Sequence, residues 1–184
     1  MKTITLLLAT LSLLLLAMQC EKFDTTVLPP ETQEGKNTFG CYVNGELFVR
    51  AQLAYGGGPV NATYERNRLE IYCRAAAEEF HSINLSIDNP REGEYNVLSK
   101  GYFAPDFNYA AAAGCLGYAC ENCGQIYITK FDTINSIVSG RFEFSGRCAH
   151  NNSVTIPIKY TGDSIVHITD GRFDIKLMMS NESY

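Results

Sequence analysis

The sequence predicts an all-β protein, an antiparallel β-sandwich or a partly open barrel, forming a single domain after an N-terminal tether. Three observations carry this prediction. Short segments of alternating apolar and polar residues recur along the chain, turn-forming residues separate them, and no segment sustains a helical period. Strands at such spacing are typical of sandwiches and small barrels. With 184 residues, the chain is long enough for one domain with a substantial core.

The first segment has the features of an export signal. A leucine-dominated run extends from Ile4 to Met18, and Cys20 follows it. The run is shorter than the roughly 20 apolar residues that a membrane-spanning helix needs, and it fits the hydrophobic region of a secretory signal. Cleavage to a soluble protein is the alternative, but Ala17-Met18-Gln19 is a poor match to the small-x-small site that it needs. We therefore expect a lipoprotein signal peptide over residues 1–19 and a lipid anchor on Cys20.

The charge of the chain bears on its partners. Removal of residues 1–19 leaves 14 of the 15 basic side chains and all 20 acidic side chains. No basic cluster appears, so we expect no nucleic-acid partner. The expected membrane contact is the lipid anchor.

Two regions follow the leader. Residues 20–37 are polar and contain Pro29-Pro30, which predicts a flexible tether, and residues 38–184 form the predicted β-domain. Asn44-Gly45 is a strong hairpin signal between the first two strands. The predicted strands are Phe39 to Val43, Glu46 to Val49, Arg68 to Cys73, Ser82 to Ile87, Glu94 to Val97, Gln125 to Thr129, Ile137 to Gly146, Ser153 to Tyr160 and Arg172 to Met178.

A long segment from Gly101 to Gly124 interrupts this pattern and is predicted to be an irregular loop. Loops of this length in compact domains are functional or disordered, and three cysteines within this one argue against disorder. Exposed aromatic side chains on such a loop would form a ligand or partner surface, whereas buried ones would form a small satellite core. The predicted binding surface consists of Tyr55, Tyr102, Phe103, Phe107, Tyr109 and Tyr118.

Three stretches resemble a recurrent group of Bacteroidetes envelope lipoproteins of unknown function. They are Phe39 to Gly45, the pair Ile128 to Asp132 with Ile137 to Phe144, and Ile168 to Ile175. The resemblance implies a small all-β domain exported to the envelope, at the outer membrane, and it brings no catalytic residues with it. Physically, the motifs place Gly140 and Gly171 at turns or close strand contacts. Their alternating aromatic and aliphatic residues would point into a core.

The cysteines other than Cys20 form an even set, as expected for disulfides in an exported protein. Since every second residue of a strand faces the same side, Cys41, Cys73 and Cys148 are predicted to face inward. The other three cysteines lie in the Gly101–Gly124 segment. If all pair, an odd number of bridges joins the two groups, and the connectivity stays open. The candidates are Cys41, Cys73, Cys115, Cys120, Cys123 and Cys148.

Two alternative roles for these cysteines are weaker. Cys120 and Cys123 have the spacing of a redox pair, but no thioredoxin-like βαβ pattern surrounds them. Together with Cys148 and His150 they would supply four zinc ligands, although the spacing departs from that of zinc sites and the expected compartment opposes free thiolates. We expect neither a metal nor a cofactor.

No group of residues in the sequence encodes a reaction. The three histidines are predicted to be solvated surface residues, and no nucleophile elbow or paired-carboxylate signature is present. We expect an envelope lipoprotein that is a non-catalytic binding or interaction module, with an unknown protein or glycan ligand. The alternative is a small envelope hydrolase that acts on glycans through acidic residues, so whether it is an enzyme stays open.

Overall fold

A computed structural model describes residues 24–50, 60–74, 81–96, 106–111, 115–150 and 165–179; of these, 81, 106–111, 115–123 and 147–150 are described for the backbone alone. All regular elements in these ranges are β-strands. No helix in these ranges is long and apolar enough to cross a membrane. The all-β, single-domain prediction is confirmed, and the architecture is a curled sheet forming a half-barrel.

Ten strands make up the sheet. They are β1 (Thr38–Val43), β2 (Glu46–Val49), β3 (Val60–Glu65), β4 (Arg68–Arg74), β5 (His81–Asp88), β6 (Gly93–Asn96), β7 (Asp106–Ala111), β8 (Cys115–Asp132), β9 (Ile137–His150) and β10 (Ile165–Met179). The order across the sheet is β2-β1-β10-β3-β4-β5-β7-β8-β6, and β9 pairs with both β8 and β10.

The sheet is mixed rather than purely antiparallel as predicted. β10 pairs with β3 in parallel, and the other pairings are antiparallel. The parallel pair arises because β10 is long. It runs antiparallel to β1 over Ile168 to Asp174 and then continues beside β3 over Leu177 to Met179. One strand therefore joins the first two hairpins of the domain.

The inner face of the half-barrel holds one continuous core. Alternation along the strands places Phe39 and Cys41 of β1, and Leu69, Ile71 and Cys73 of β4, fully inside. This confirms the predicted parity of both cysteines, because residues at every second position of a strand share one face. The aromatic residues of the motifs named above also point inward, as predicted: Phe142, Phe144 and Phe173 are each 3% exposed.

Local sequence accounts for the hairpins. Asn44 and Gly45 both have positive φ, 50° and 82°, and they connect β1 to β2 as predicted. Arg66 and Asn67 also have positive φ, 50° and 61°, and they connect β3 to β4. β3 is not among the strands predicted from the sequence, because Val60 to Glu65 comes directly after Gly56-Gly57-Gly58-Pro59, which predicts a turn.

The prediction of an irregular loop from Gly101 to Gly124 is wrong for much of that segment. It contains β7 and the first part of β8. β7 pairs with both β5 and β8, so its backbone hydrogen bonds are satisfied inside the sheet. Its alanines have a low strand propensity, but pairing with two neighbours outweighs that local preference.

Gly171, which its motif places at a turn or a close strand contact, directly follows a bulge within β10. The register with β9 shifts between Ile168 and Gly171, and Asp170 has a φ of 52°. The bulge bends β10 without ending it, as an extra residue in one strand of an antiparallel pair does.

Two glycines let the central strands approach closely, as predicted. A Cβ atom on Gly140 would lie 2.6 Å from Cζ of Phe173 and closer still to the carbonyl oxygen of Tyr127. A Cβ atom on Gly171 would lie 2.6 Å from the ring of Phe142 and would also meet its carbonyl oxygen. Both positions therefore need glycine because buried aromatic rings lie directly against the backbone.

Gly140→Ala should destabilise the domain by about 1–3 kcal/mol, because the added methyl group has no space beside Phe173. The measurement is the free energy of unfolding in urea. Gly45→Asn is the matched control: no atom lies within 4 Å of its would-be Cβ, and asparagine tolerates the left-handed backbone there. The control should stay within about 0.5–1 kcal/mol of wild type. Equal stability of Gly140→Ala and wild type would contradict the close packing.

Candidate functional site

The outer face of the sheet carries a polar groove across the strands on either side of β8. The groove has a volume of about 410 Å³, and a second depression of about 480 Å³ continues it past Gln125 and Glu143, which line both. Its floor consists of outward-facing residues of β8 and β9. The residues used below are Glu31, Glu94, Gln125, Tyr127, Arg141 and Glu143.

Both signs of charge line the groove, with an excess of carboxylates. Glu31, Glu94, Glu143 and Asp170 face two guanidinium groups, those of Arg141 and Arg172. The described groove therefore offers hydrogen-bond donors and acceptors of both signs of charge.

Tyr127 and Arg141 form the centre of the groove. They lie directly opposite each other in the register of β8 and β9, and Cζ of Arg141 is 5.6 Å from the centre of the Tyr127 ring. This distance is that of a cation–π contact. Tyr127 nevertheless remains 44% exposed. Nε of Arg141 also lies 3.8 Å from Oε2 of Glu31, so three side chains orient one another.

One wall of the groove comes from the segment before β1, here called the strap (residues 28–37). Glu31 on the strap reaches Arg141, and Nη1 of Arg172 donates to the carbonyl oxygen of Pro29 at 3.4 Å. Pro29 also packs against the backbone of β1, where a Cβ atom on Gly40 would lie 2.7 Å from Cδ of Pro29. The last part of the predicted tether is therefore in contact with the sheet.

Asp174 of β10 holds the strap in place. This carboxylate is 1% exposed and accepts hydrogen bonds from Oγ1 of Thr32 at 2.5 Å and from the backbone N–H groups of Glu34, Gly35 and Lys36 at 3.1, 2.8 and 3.2 Å. Oγ of Ser139 donates a further bond at 2.8 Å. Five donors thus converge on one buried carboxylate.

These donors determine the charge state of Asp174. Burial by itself would raise the pKa of Asp174, but the hydrogen bonds from Thr32, Ser139, Gly35 and Lys36 outweigh it and lower the pKa below its ordinary value. The side chain is therefore ionised in the folded protein near neutral pH. A buried carboxylate is tolerated here because its oxygens are fully provided with donors.

The predicted site residues have different outcomes. Phe107, Tyr109 and Tyr118 lie on β7 and β8, but their side chains, and the whole of Tyr55, Tyr102 and Phe103, lie outside the described residues. The predicted aromatic surface therefore stays a prediction. The lipidation site Cys20 also lies outside the described residues.

The candidate disulfide cysteines also fall into two groups, those whose side chains the structure describes and those whose side chains it does not. Cys41 and Cys73 are buried free thiols. Cys115, Cys120, Cys123 and Cys148 lie on β8 and β9, with side chains outside those described. Where side chains are described, no group of three or more His, Cys, Asp or Glu residues is placed to hold a metal ion.

One histidine has a specific partner. His167 is exposed, as predicted, and its Nδ1 lies 2.8 Å from Oγ of Ser145, directly opposite in the register of β9 and β10. Its backbone N–H donates to Oδ1 of Asn44 at 2.8 Å. The pair links β9 to β10 beside the second depression, which Ser145 lines.

The groove was not predicted from the sequence. Gln125, Tyr127, Arg141 and Glu143 are the outward positions of two correctly predicted strands, and outward polar residues are ordinary in half-buried strands. The pairing of those two strands brings Tyr127 opposite Arg141, and the structure supplies that register.

Comparison with known proteins assigns no relative. No protein-family model, curated protein or solved structure matches this chain. The likeness to Bacteroidetes envelope lipoproteins therefore stays a prediction from the sequence.

Asp174→Asn should destabilise the domain by about 1.5–3 kcal/mol at neutral pH, because the charged acceptor of five hydrogen bonds is lost. The measurement is urea unfolding between pH 2 and 7. Since the pKa of Asp174 is lowered on folding, its stabilisation is present above the ordinary value of about 3.9. It is lost as pH falls through the folded-state value.

As the pH falls through the folded-state pKa of Asp174, the free energy of unfolding of Asp174→Asn should therefore fall less than that of wild type. Asp170→Asn is the matched control, because Asp170 is an exposed carboxylate of the same strand. It should show the wild-type pH dependence. Identical pH profiles for Asp174→Asn and wild type would contradict the role given to the buried carboxylate.

Proposed function

We propose that this protein is a lipid-anchored envelope lipoprotein, at the outer membrane, that acts as a non-catalytic binding module and takes a neutral glycan in its outer groove. The observation that carries the proposal is the groove itself, in which an exposed tyrosine stands among carboxylate, amide and guanidinium groups. Such side chains hydrogen-bond sugar hydroxyls, and an aromatic face packs against the apolar face of a sugar ring.

The charge of the groove favours a neutral ligand over an anionic one. Four carboxylates and two guanidinium groups line it, so an anionic polymer would meet net repulsion. This agrees with the acidic composition of the whole chain, which has a formal net charge of −5.

The polarity of the groove favours a glycan over a protein partner. Cores of protein interfaces are depleted in charge and rich in apolar side chains. Among the described large hydrophobic residues that are exposed, only Tyr127 lines the groove. The others are Val27, Tyr72, Ile134, Ile165, Met178 and Met179.

The short segment between Cys20 and Pro29 limits how far the groove can lie from the proposed lipid anchor. Cys20 precedes Pro29 by nine residues, and a fully extended chain spans at most about 3.3–3.6 Å per residue. Since Pro29 lies beside the groove, the ligand would be held within roughly 30 Å of the lipidated cysteine. This distance suits a ligand at the membrane surface.

Tyr127→Ala should weaken binding of neutral oligosaccharides at least tenfold, because it removes the exposed ring at the centre of the groove. The measurement is calorimetric titration of the mature chain with ligands selected on an array of neutral and anionic glycans. Tyr72→Ala is the matched control, since Tyr72 is similarly exposed, at 38%, but lies on β4 outside the groove. The control should bind like wild type.

Two outcomes would overturn this proposal. Binding of anionic glycans alone would contradict the neutral ligand. Release of new reducing ends from a bound glycan, abolished by Glu94→Gln or Glu143→Gln, would instead support the alternative, an envelope hydrolase that uses acidic residues.

The proposed location has a separate test. Mass spectrometry of the protein purified from the membrane fraction should show diacylglycerol on Cys20 as the first residue. A cytosolic protein that retains residues 1–19 would contradict the location without affecting the groove.

A further inference from the structure

One outward row of β9 joins the groove to the second depression. Arg141 lines the groove, Ser145 lines the second depression, and Glu143 between them lines both. Since every second residue of a strand faces the same side, these three residues form a single row on the outer face. Gln125 of β8 lies opposite Glu143 in the register and also lines both parts. The groove and the second depression together therefore form one trough along β9.

The trough is too long for one sugar ring. Arg141 and Ser145 are four positions apart in the sequence, which corresponds to about 13 Å at the rise of a β-strand. The alternation of β9 is regular over this stretch, because Phe142 and Phe144 are each 3% exposed and pack into the core. A pyranose ring is shorter than this distance. A single sugar in contact with Tyr127 would therefore leave the second depression unfilled.

The two parts of the trough differ in their chemistry. The groove holds the exposed ring of Tyr127 and the charged side chains. Apart from Glu143, the polar side chains that line the second depression are uncharged, namely those of Asn96, Gln125, Ser145 and Thr169. Amide and hydroxyl groups donate and accept hydrogen bonds, as the hydroxyl groups of a sugar do. The second depression therefore has the chemistry of a further sugar subsite.

The bulge of β10 gives this strand a side chain in each part of the trough. Thr169 and Asp170 are consecutive, and both are exposed. Consecutive residues of a regular strand face opposite sides, but the register shift between Ile168 and Gly171 interrupts that alternation. Thr169 lines the second depression, and Asp170 lines the groove. The bulge therefore supplies a polar group to both parts without ending the strand.

The sheet holds the polar groups of the second depression in place. Oγ of Ser145 lies 2.8 Å from Nδ1 of His167 on β10. Asn96 of β6 lies opposite Gln125 of β8 in the register. Hydrogen-bonding groups that paired strands already position lose less conformational entropy when a ligand binds.

We propose that the trough binds a linear chain of neutral hexose or N-acetylhexosamine units, with one sugar on Tyr127 and a following sugar in the second depression. This inference rests on the proposed function, to which it adds a second subsite and an extended ligand. The first sugar packs against the tyrosine ring. The following sugar exchanges hydrogen bonds with Asn96, Ser145 and Thr169, so the affinity depends on the length of the chain.

The test is an NMR titration of the mature chain with malto-, cello- and N-acetylchito-oligosaccharides, each from the monosaccharide to the hexasaccharide. In at least one series, the affinity should rise about tenfold from the monosaccharide to the trisaccharide and then level off, because the longer ligand gains hydrogen bonds in the second depression. The monosaccharide should shift the backbone amide signals around Tyr127. The trisaccharide should also shift those around Ser145.

Substitutions at the far end of the trough separate the two subsites. Ser145→Ala and Asn96→Ala should each lower the affinity for the trisaccharide about three- to tenfold and leave the affinity for the monosaccharide unchanged. Tyr127→Ala should lower both affinities. Asn61→Ala is the matched control, because Asn61 is a half-buried amide on β3 outside both parts of the trough. The two far-end substitutions lie on different strands, so one remains informative if the other disturbs the sheet.

Three outcomes would overturn the inference. They are equal affinities for the monosaccharide and the trisaccharide, equal weakening of both ligands by the two far-end substitutions, and no binding to any member of the three series. In each case, other neutral glycans that bind on the array and are lost in Tyr127→Ala would leave the proposed function supported. Failure of every neutral glycan on the array to bind would overturn the proposed function as well.

Discussion

The structure depends on one buried carboxylate. Both oxygens of Asp174 are used: Oδ1 accepts from Gly35 and Ser139, and Oδ2 accepts from Thr32, Glu34 and Lys36. Without the carboxylate, the three backbone N–H groups of the strap would lose their acceptor. Without the strap, the carboxylate would keep a single protein donor, Oγ of Ser139. Strap and sheet therefore stabilise each other.

This dependence extends to the groove. Gly35 has a φ of 71°, so the strap turns at that residue. Asn37 then accepts a bond from the backbone N–H of Lys176 at 2.9 Å, which brings the chain into β1. At the other end of the strap, Arg172 bonds Pro29 and Arg141 approaches Glu31. A residue inside the domain thus positions a wall of the proposed ligand site on its outer face.

Local sequence predicted the parts of the fold that local physics determines. The alternation of apolar and polar residues predicted β1, β4 and β5. Asn44-Gly45 predicted the hairpin that connects β1 to β2. The strap looked like a flexible tether because its partner Asp174 is far away in sequence, and no local pattern reports such a contact. β7 was missed for a similar reason, since its alanines give no strand signal and pairing with β5 and β8 determines its conformation. The groove needed the register of β8 with β9, and the sequence does not specify that register.

A rigid floor makes the groove suitable for recognition. Gly140 and Gly171 bring the backbones of β8, β9 and β10 against buried rings, so the strands that carry the groove residues cannot shift easily. Tyr127 and Arg141 already contact each other across neighbouring strands, at 5.6 Å. Much of the conformational entropy of these side chains is therefore lost on folding rather than on binding. A hydroxyl-rich ligand that binds weakly gains most from such an arrangement. Its few hydrogen bonds then have to offset only a small further loss of side-chain conformational entropy.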